Sequence, residues 1–197
     1  MSHDEPRRRF GDLPAEEMDP AQRAVNDRLV AYLYPDRAGD GSVIGGPMAA
    51  LLRSPGLAEG VGRLVPLMFE GLSIPRTAVE LAVLLTARHW NCHFEFHTHR
   101  RYAARFGLDP EVVEAIAHGV RPELGGELAD THDFVGELLR DGDVDDATFA
   151  AVADRWGRQG AVELITAVGF YTSLALVLNV DRYPAPALPA LTSLMRK

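Results

Sequence analysis

The segment His89–Arg101, HWNCHFEFHTHRR, gathers side chains able to move a proton, attack an electrophile or bind a metal. It holds four of the chain's seven histidines, its only cysteine, a glutamate and three aromatic residues. Successive residues of an α-helix advance by roughly 100°. On that wheel Cys92, Glu95, His99, Tyr102 and Phe106 share a face. His89, His93 and His97 form a second file, provided the helix does not break at Asn91. The first stripe suits proton transfer. With Asn91 as N-cap, Cys92 sits in the first turn, where unpaired N–H groups and the helix dipole favour a thiolate. Glu95 and His99, one turn apart, can share a hydrogen bond, and a carboxylate beside an imidazole orients it and raises its basicity. Phe96, Ala103 and Phe106 flank the stripe and turn it inward, so Phe96 and Tyr102 are expected to line a pocket beside it. The bland counterpart is a surface ion pair next to an ordinary buried cysteine.

The second stripe has metal-chelating spacing at His93 and His97. Phe94 stands where a metalloprotease-like helix needs glutamate. The expectation is therefore no metal, and a solvated or subunit-facing surface that continues into Arg100 and Arg101.

These residues must be held by helices. Asp19-Pro20 fits an N-cap followed by proline at the first helical position, with Val25, Leu29 and Leu33 on one face. A second helical region starts near Pro47, restarts after Ser54-Pro55-Gly56 and is kinked or broken at Pro66. Ser73-Ile74-Pro75 opens an apolar helix around Glu80; Gly107 ends the histidine helix, and Asp109-Pro110 starts another that stops at Gly119. Two amphipathic segments follow, and then AVELITAVGFYTSLALVLN, the most apolar stretch, expected to be a central buried helix. No alternating strand pattern persists, so the fold class is all-α: a loose arm over 1–18, one helical domain over 19–183 and an extended proline-rich tail over 184–197.

Composition narrows the chemistry. A net charge of -8 opposes binding to nucleic acid. A single cysteine forbids an intrachain disulfide relay, and the only lysine, Lys197, stands outside the helical segments, which disfavours Schiff-base chemistry. Gly60-Val61-Gly62 lacks the strand and spacing of a phosphate loop. No run reaches about 20 apolar residues, and the N-terminal residues carry charge and proline, so no membrane and a cytoplasmic location are expected.

At the histidine segment the chain resembles the carboxymuconolactone decarboxylase and alkylhydroperoxidase D-like family. The redox branch of that family carries Glu, then after eleven residues Cys-x-x-Cys-x-x-x-His; here Glu80 is followed after eleven residues by Cys92, Glu95 and His99. FEFHTHRRYAARFGLDPEVVEAI, GGPMAALLRSPGL and the apolar C-terminal segment extend the likeness over roughly residues 20–180. The resemblance implies an all-helical fold, a homo-oligomer (trimer or hexamer) and a site that brings Glu80 near Cys92 and His99. Glu95 departs from the pattern at the second cysteine. It cannot resolve a sulfenic acid, and a carboxylate one turn from Cys92 opposes the thiolate. Two-thiol peroxidase turnover is thereby blocked within one chain.

The expectation that follows is a cofactor-independent acid–base enzyme, decarboxylase- or lyase-like, acting on a small carboxylated or lactone metabolite. His99 is assigned the proton transfer, Glu95 its orientation, Glu80 a second acid–base role and Cys92 a place in the pocket wall. A single-cysteine peroxiredoxin-type protein and a non-catalytic binding or assembly module are the alternatives.

Overall fold

In the computed structural model, which describes residues 7–192, all regular elements are helical. They are α1 (Pro20–Leu33), α2 (Pro47–Leu51), α3 (Pro55–Pro66), α4 (Arg76–His89), α5 (His93–Arg105), α6 (Pro110–Ala117), α7 (Gly126–Asp141), α8 (Asp146–Asp181) and α9 (Pro189–Thr192). The chain, expected to form one domain over 19–183, divides into two compact units. One comprises the chain up to Gly71 with Val177–Pro184; the other comprises Leu72–Leu176 with the segment from Ala185.

In the first unit α1 starts as its sequence dictates. Asp19 accepts from Gln22 N–H and the Gln22 side chain accepts from Asp19 N–H, a reciprocal capping box with proline at the first helical position. Val25 and Leu29 are buried, whereas Leu33 is only half-buried. α1 packs on α3, where a Cβ at Gly62 would come within 3.1 Å of Leu29 Cδ2; glycine permits that approach. Pro66 ends α3, and a π-turn over Leu67–Gly71 follows. The arm expected to be loose is anchored over its described part, residues 7–18. Leu13 and Met18 are buried, Arg8 Nε donates to Asp181 Oδ2 (2.9 Å), and Phe10 N–H donates to Asp181 Oδ1 (2.8 Å).

In the second unit α4 is the central helix. Ten of its fourteen residues are buried, and α5, α6 and α7 pack against it. The core formed there includes Leu81, Leu84, Phe96, Leu108, Ile116 and Leu191. α4 and α5 are separate helices: Asn91 adopts a left-handed conformation (φ 51°), and Cys92 N–H reaches back to Ala87 O at 2.8 Å. Cys92, not Asn91, is therefore the N-cap of α5, and the file expected through His89, His93 and His97 is cut. Ser73 does not cap α4 either; its N–H and hydroxyl both donate to Glu163, at 2.7 and 2.8 Å.

α8 is two helical arms joined at Gly157, whose φ of 71° and ψ of 176° interrupt the helical backbone. The apolar segment expected to be a central buried helix is buried on one side only. Leu164, Ala167, Phe170, Tyr171 and Leu174 face inward, but Val162, Ile165 and Leu176 are exposed. By length and composition α8 also meets the criterion for a membrane span, with a mean hydropathy of 1.8 over its most apolar window, contrary to the expectation of no such run. Of that window 44% is buried within the protein, as befits a core helix of mixed exposure. The C-terminal segment is not simply extended. Leu188 N–H donates to His93 Nδ1 (3.2 Å), Arg88 Nη1 donates to Leu191 O (3.0 Å), and Pro189–Thr192 is helical; residues 193–197 of the expected tail lie outside the described residues.

Candidate active site

α4 sends two charged side chains from one face, Arg76 and Glu80, four residues apart. Glu80 is fully buried, and both of its oxygens are engaged: Arg76 pairs with Oε1, and His99 Nδ1 lies 2.8 Å from Oε2. A buried carboxylate needs such compensation, since desolvating an unpaired charge costs several kcal/mol or more. His99 comes from α5 and is 6% exposed. A carboxylate only accepts, so Nδ1 donates and Nε2 is left as the nitrogen that exchanges protons in the neutral ring. The Tyr171 ring, from the second arm of α8, meets the His99 ring edge-on at 4.8 Å. Burial first, and then the charge of Glu80, push the Tyr171 phenol above its usual range, so it keeps its proton. The Tyr102 ring lies 5.5 Å from that of His99.

Glu95 plays a different part from the one expected. The carboxylate bonded to His99 is Glu80 of α4, not the same-helix Glu95. The i, i+4 spacing puts Glu95 and His99 on one face, but α4 packs there and supplies a carboxylate already matched to a guanidinium. Glu95 is 3% exposed, and its Oε2 has no hydrogen-bond partner among the described residues. Burial pushes its carboxyl well above the usual carboxylate range. Burial thus favours its neutral form, which sets no negative charge against a Cys92 thiolate. The two buried carboxyls thus differ in their partners: Glu80 pairs with Arg76 and His99, whereas Glu95 Oε2 has none among the described residues.

Cys92 is buried at the other end of the stripe. Seven residues of helix place it roughly 10 Å along the axis from His99, while Glu95 lies about one turn away. Phe96 is buried in the hydrophobic core and lines a cavity beside Arg100 and Leu108, on the neighbouring face of α5. His93 is engaged with Leu188 N–H; burial and the Arg88 charge hold its pKa below the usual histidine value. His89 is exposed and packs edge-on against Trp90, and His97 is half-buried. Among the described residues no group of three or more histidine, cysteine, aspartate or glutamate side chains is placed to hold a metal ion.

Two residues of the cluster were missed by sequence reasoning. Arg76 stands one turn before Glu80, a spacing that could have revealed the pair. Tyr171 lies in an apolar segment far along the chain and gives no comparable signal. No family model matches the sequence, and no curated protein matches it significantly.

Proposed function

We propose that the protein is a cofactor-independent acid–base enzyme of the carboxymuconolactone decarboxylase-like type, acting on a small carboxylated or lactone-type metabolite. The observation that carries this reading is the buried His99 Nδ1···Glu80 Oε2 contact of 2.8 Å, with Arg76 on the far oxygen. The arrangement orients the imidazole and stabilises the imidazolium that forms when Nε2 takes a proton. Glu95 and Tyr171, both kept protonated by burial, are donors for an oxygen on which negative charge develops. In a lactone isomerisation, His99 Nε2 removes a proton from a carbon conjugated with the lactone carbonyl and returns it to another carbon, while the carbonyl oxygen that carries the enolate charge stays hydrogen-bonded. In a β-keto acid, the electrons of the breaking C–C bond move into the carbonyl, and the resulting enolate takes a proton from the site. Neither reaction requires a thiolate, a lysine or a nucleotide.

A screen of β-keto acids and unsaturated lactones tests this reading. A hit whose turnover survives Cys92→Ser but is lost in His99→Ala supports it. A hit lost in Cys92→Ser and retained in His99→Ala replaces it with thiol chemistry.

A further inference from the structure

α5 carries a second face that the acid–base cluster does not use. Phe96, Arg100 and Ala104, at i, i+4 and i+8, line a cavity of about 520 Å³, with Leu108, Val113 and Leu188 among the facing residues. That volume falls within the roughly 300–1,000 Å³ typical of small-molecule sites. The wall from Leu188 to Ala190 is held in place. His93 Nδ1 accepts from Leu188 N–H at 3.2 Å, and Arg88 Nη1 donates to Leu191 O at 3.0 Å. His93, whose spacing to His97 is that of a metal chelate, thus contributes to fixing a cavity wall.

The lining is mainly apolar, and its charges are unequal. Glu114 is occupied by His118, whose Nε2 lies 2.9 Å from Glu114 Oε1. Arg100, exposed on the cavity wall, has no ion pair or side-chain hydrogen bond among the described residues. A cavity with an apolar interior and one guanidinium outside any ion pair among the described residues matches a ligand with an apolar body and one carboxylate, which a guanidinium can engage with two parallel hydrogen bonds. We infer that this cavity binds a small amphipathic carboxylate, with its carboxylate on Arg100 and its apolar part against Phe96, Leu108 and Val113. The inference does not depend on the acid–base reading, since none of Glu80, Glu95 and His99 lines the cavity.

Calorimetric titration of the full chain with octanoate, octanol and octylamine tests it. Octanoate binds saturably at one site and more tightly than the other two. Arg100→Gln weakens octanoate by roughly three- to tenfold, the range for losing an exposed charge-assisted pair, and leaves octanol unchanged. Ala104→Trp, at an exposed wall position, fills the space and abolishes binding of both, while helicity and melting temperature stay near wild type. Octanol binding as tightly as octanoate, octanoate affinity unchanged in Arg100→Gln, or octanoate binding retained in folded Ala104→Trp each overturn the proposal. So does an absence of octanoate binding with Ala104→Trp reducing a larger species to the 21.5 kDa chain, for the cavity is then a contact between copies.

Discussion

Glu80 on α4 and Glu95 on α5 are both buried acids, yet their surroundings differ in kind. Glu80 sits between a guanidinium and an imidazole, so its charge is matched on both oxygens. Glu95 has no cation beside it, and burial keeps its proton on. Both are buried; what separates them is the partner, for Arg76 stands one turn before Glu80 on α4 and pairs with it. A buried carboxyl becomes an orienting base or a neutral donor according to its neighbours, and sequence spacing alone does not reveal which.

The largest expected effect falls on turnover. Positioned acid–base catalysis contributes about 10²–10⁴-fold, so His99→Ala loses that much on any substrate found by the screen. Steady-state kinetics checks it, with the loss expected in kcat. The next effect is on stability. Arg76→Leu leaves Glu80 buried without its cation and destabilises the fold by about 3 kcal/mol, as breaking a buried pair does. Urea denaturation at neutral pH measures this; a change below about 1 kcal/mol would mean that the pair is solvated and the contrast between the two carboxyls is false.

Glu95→Gln sharpens the comparison through the sign of its pH dependence. Unfolded Glu95 titrates near 4.5 and the folded group well above it, so between those values the folded state holds more protons than the unfolded state. Stability contributed by the protonated acid is complete below that lower value and is lost as pH rises through the folded pKa. The glutamine variant has no such loss. Its stability relative to wild type therefore climbs as pH is raised above about 4.5, read from urea midpoints over a pH series. A flat difference would show that Glu95 ionises normally. The smallest effect is that of Cys92→Ser, which changes turnover by no more than about threefold, because proton transfer is assigned to His99 rather than to a thiol.

Local chemistry made much of the fold legible. The Asp19-Pro20 start, the stop at Pro66, the left-handed turn at Gly107 and the Asp109-Pro110 start all follow from cap and proline rules. What sequence could not rank was burial between two apolar helices. α4 and the second arm of α8 look alike as strings, but α4 is enclosed by three neighbours while α8 leaves Val162 and Ile165 in solvent. Likewise, a helix wheel drawn through Asn91 joins His89 to His93, whereas one residue at φ 51° separates them. Of the site, the inward stripe of α5 was readable, because Glu95 and His99 lie where the 3.6-residue period puts them. The partnership of His99 with Glu80 depends on how two helices pack. Only the resemblance pointed to it.

The central claim is that Glu80 and His99 act as one catalytic unit. A double-mutant cycle on Glu80→Gln and His99→Ala, read in kcat/KM on one substrate, tests it most directly. Residues that act as a unit are non-additive, so each single variant should lose about 10²–10⁴-fold and the double variant little more. Losses that multiply across the two positions, or a Glu80→Gln enzyme with wild-type turnover, would contradict the account.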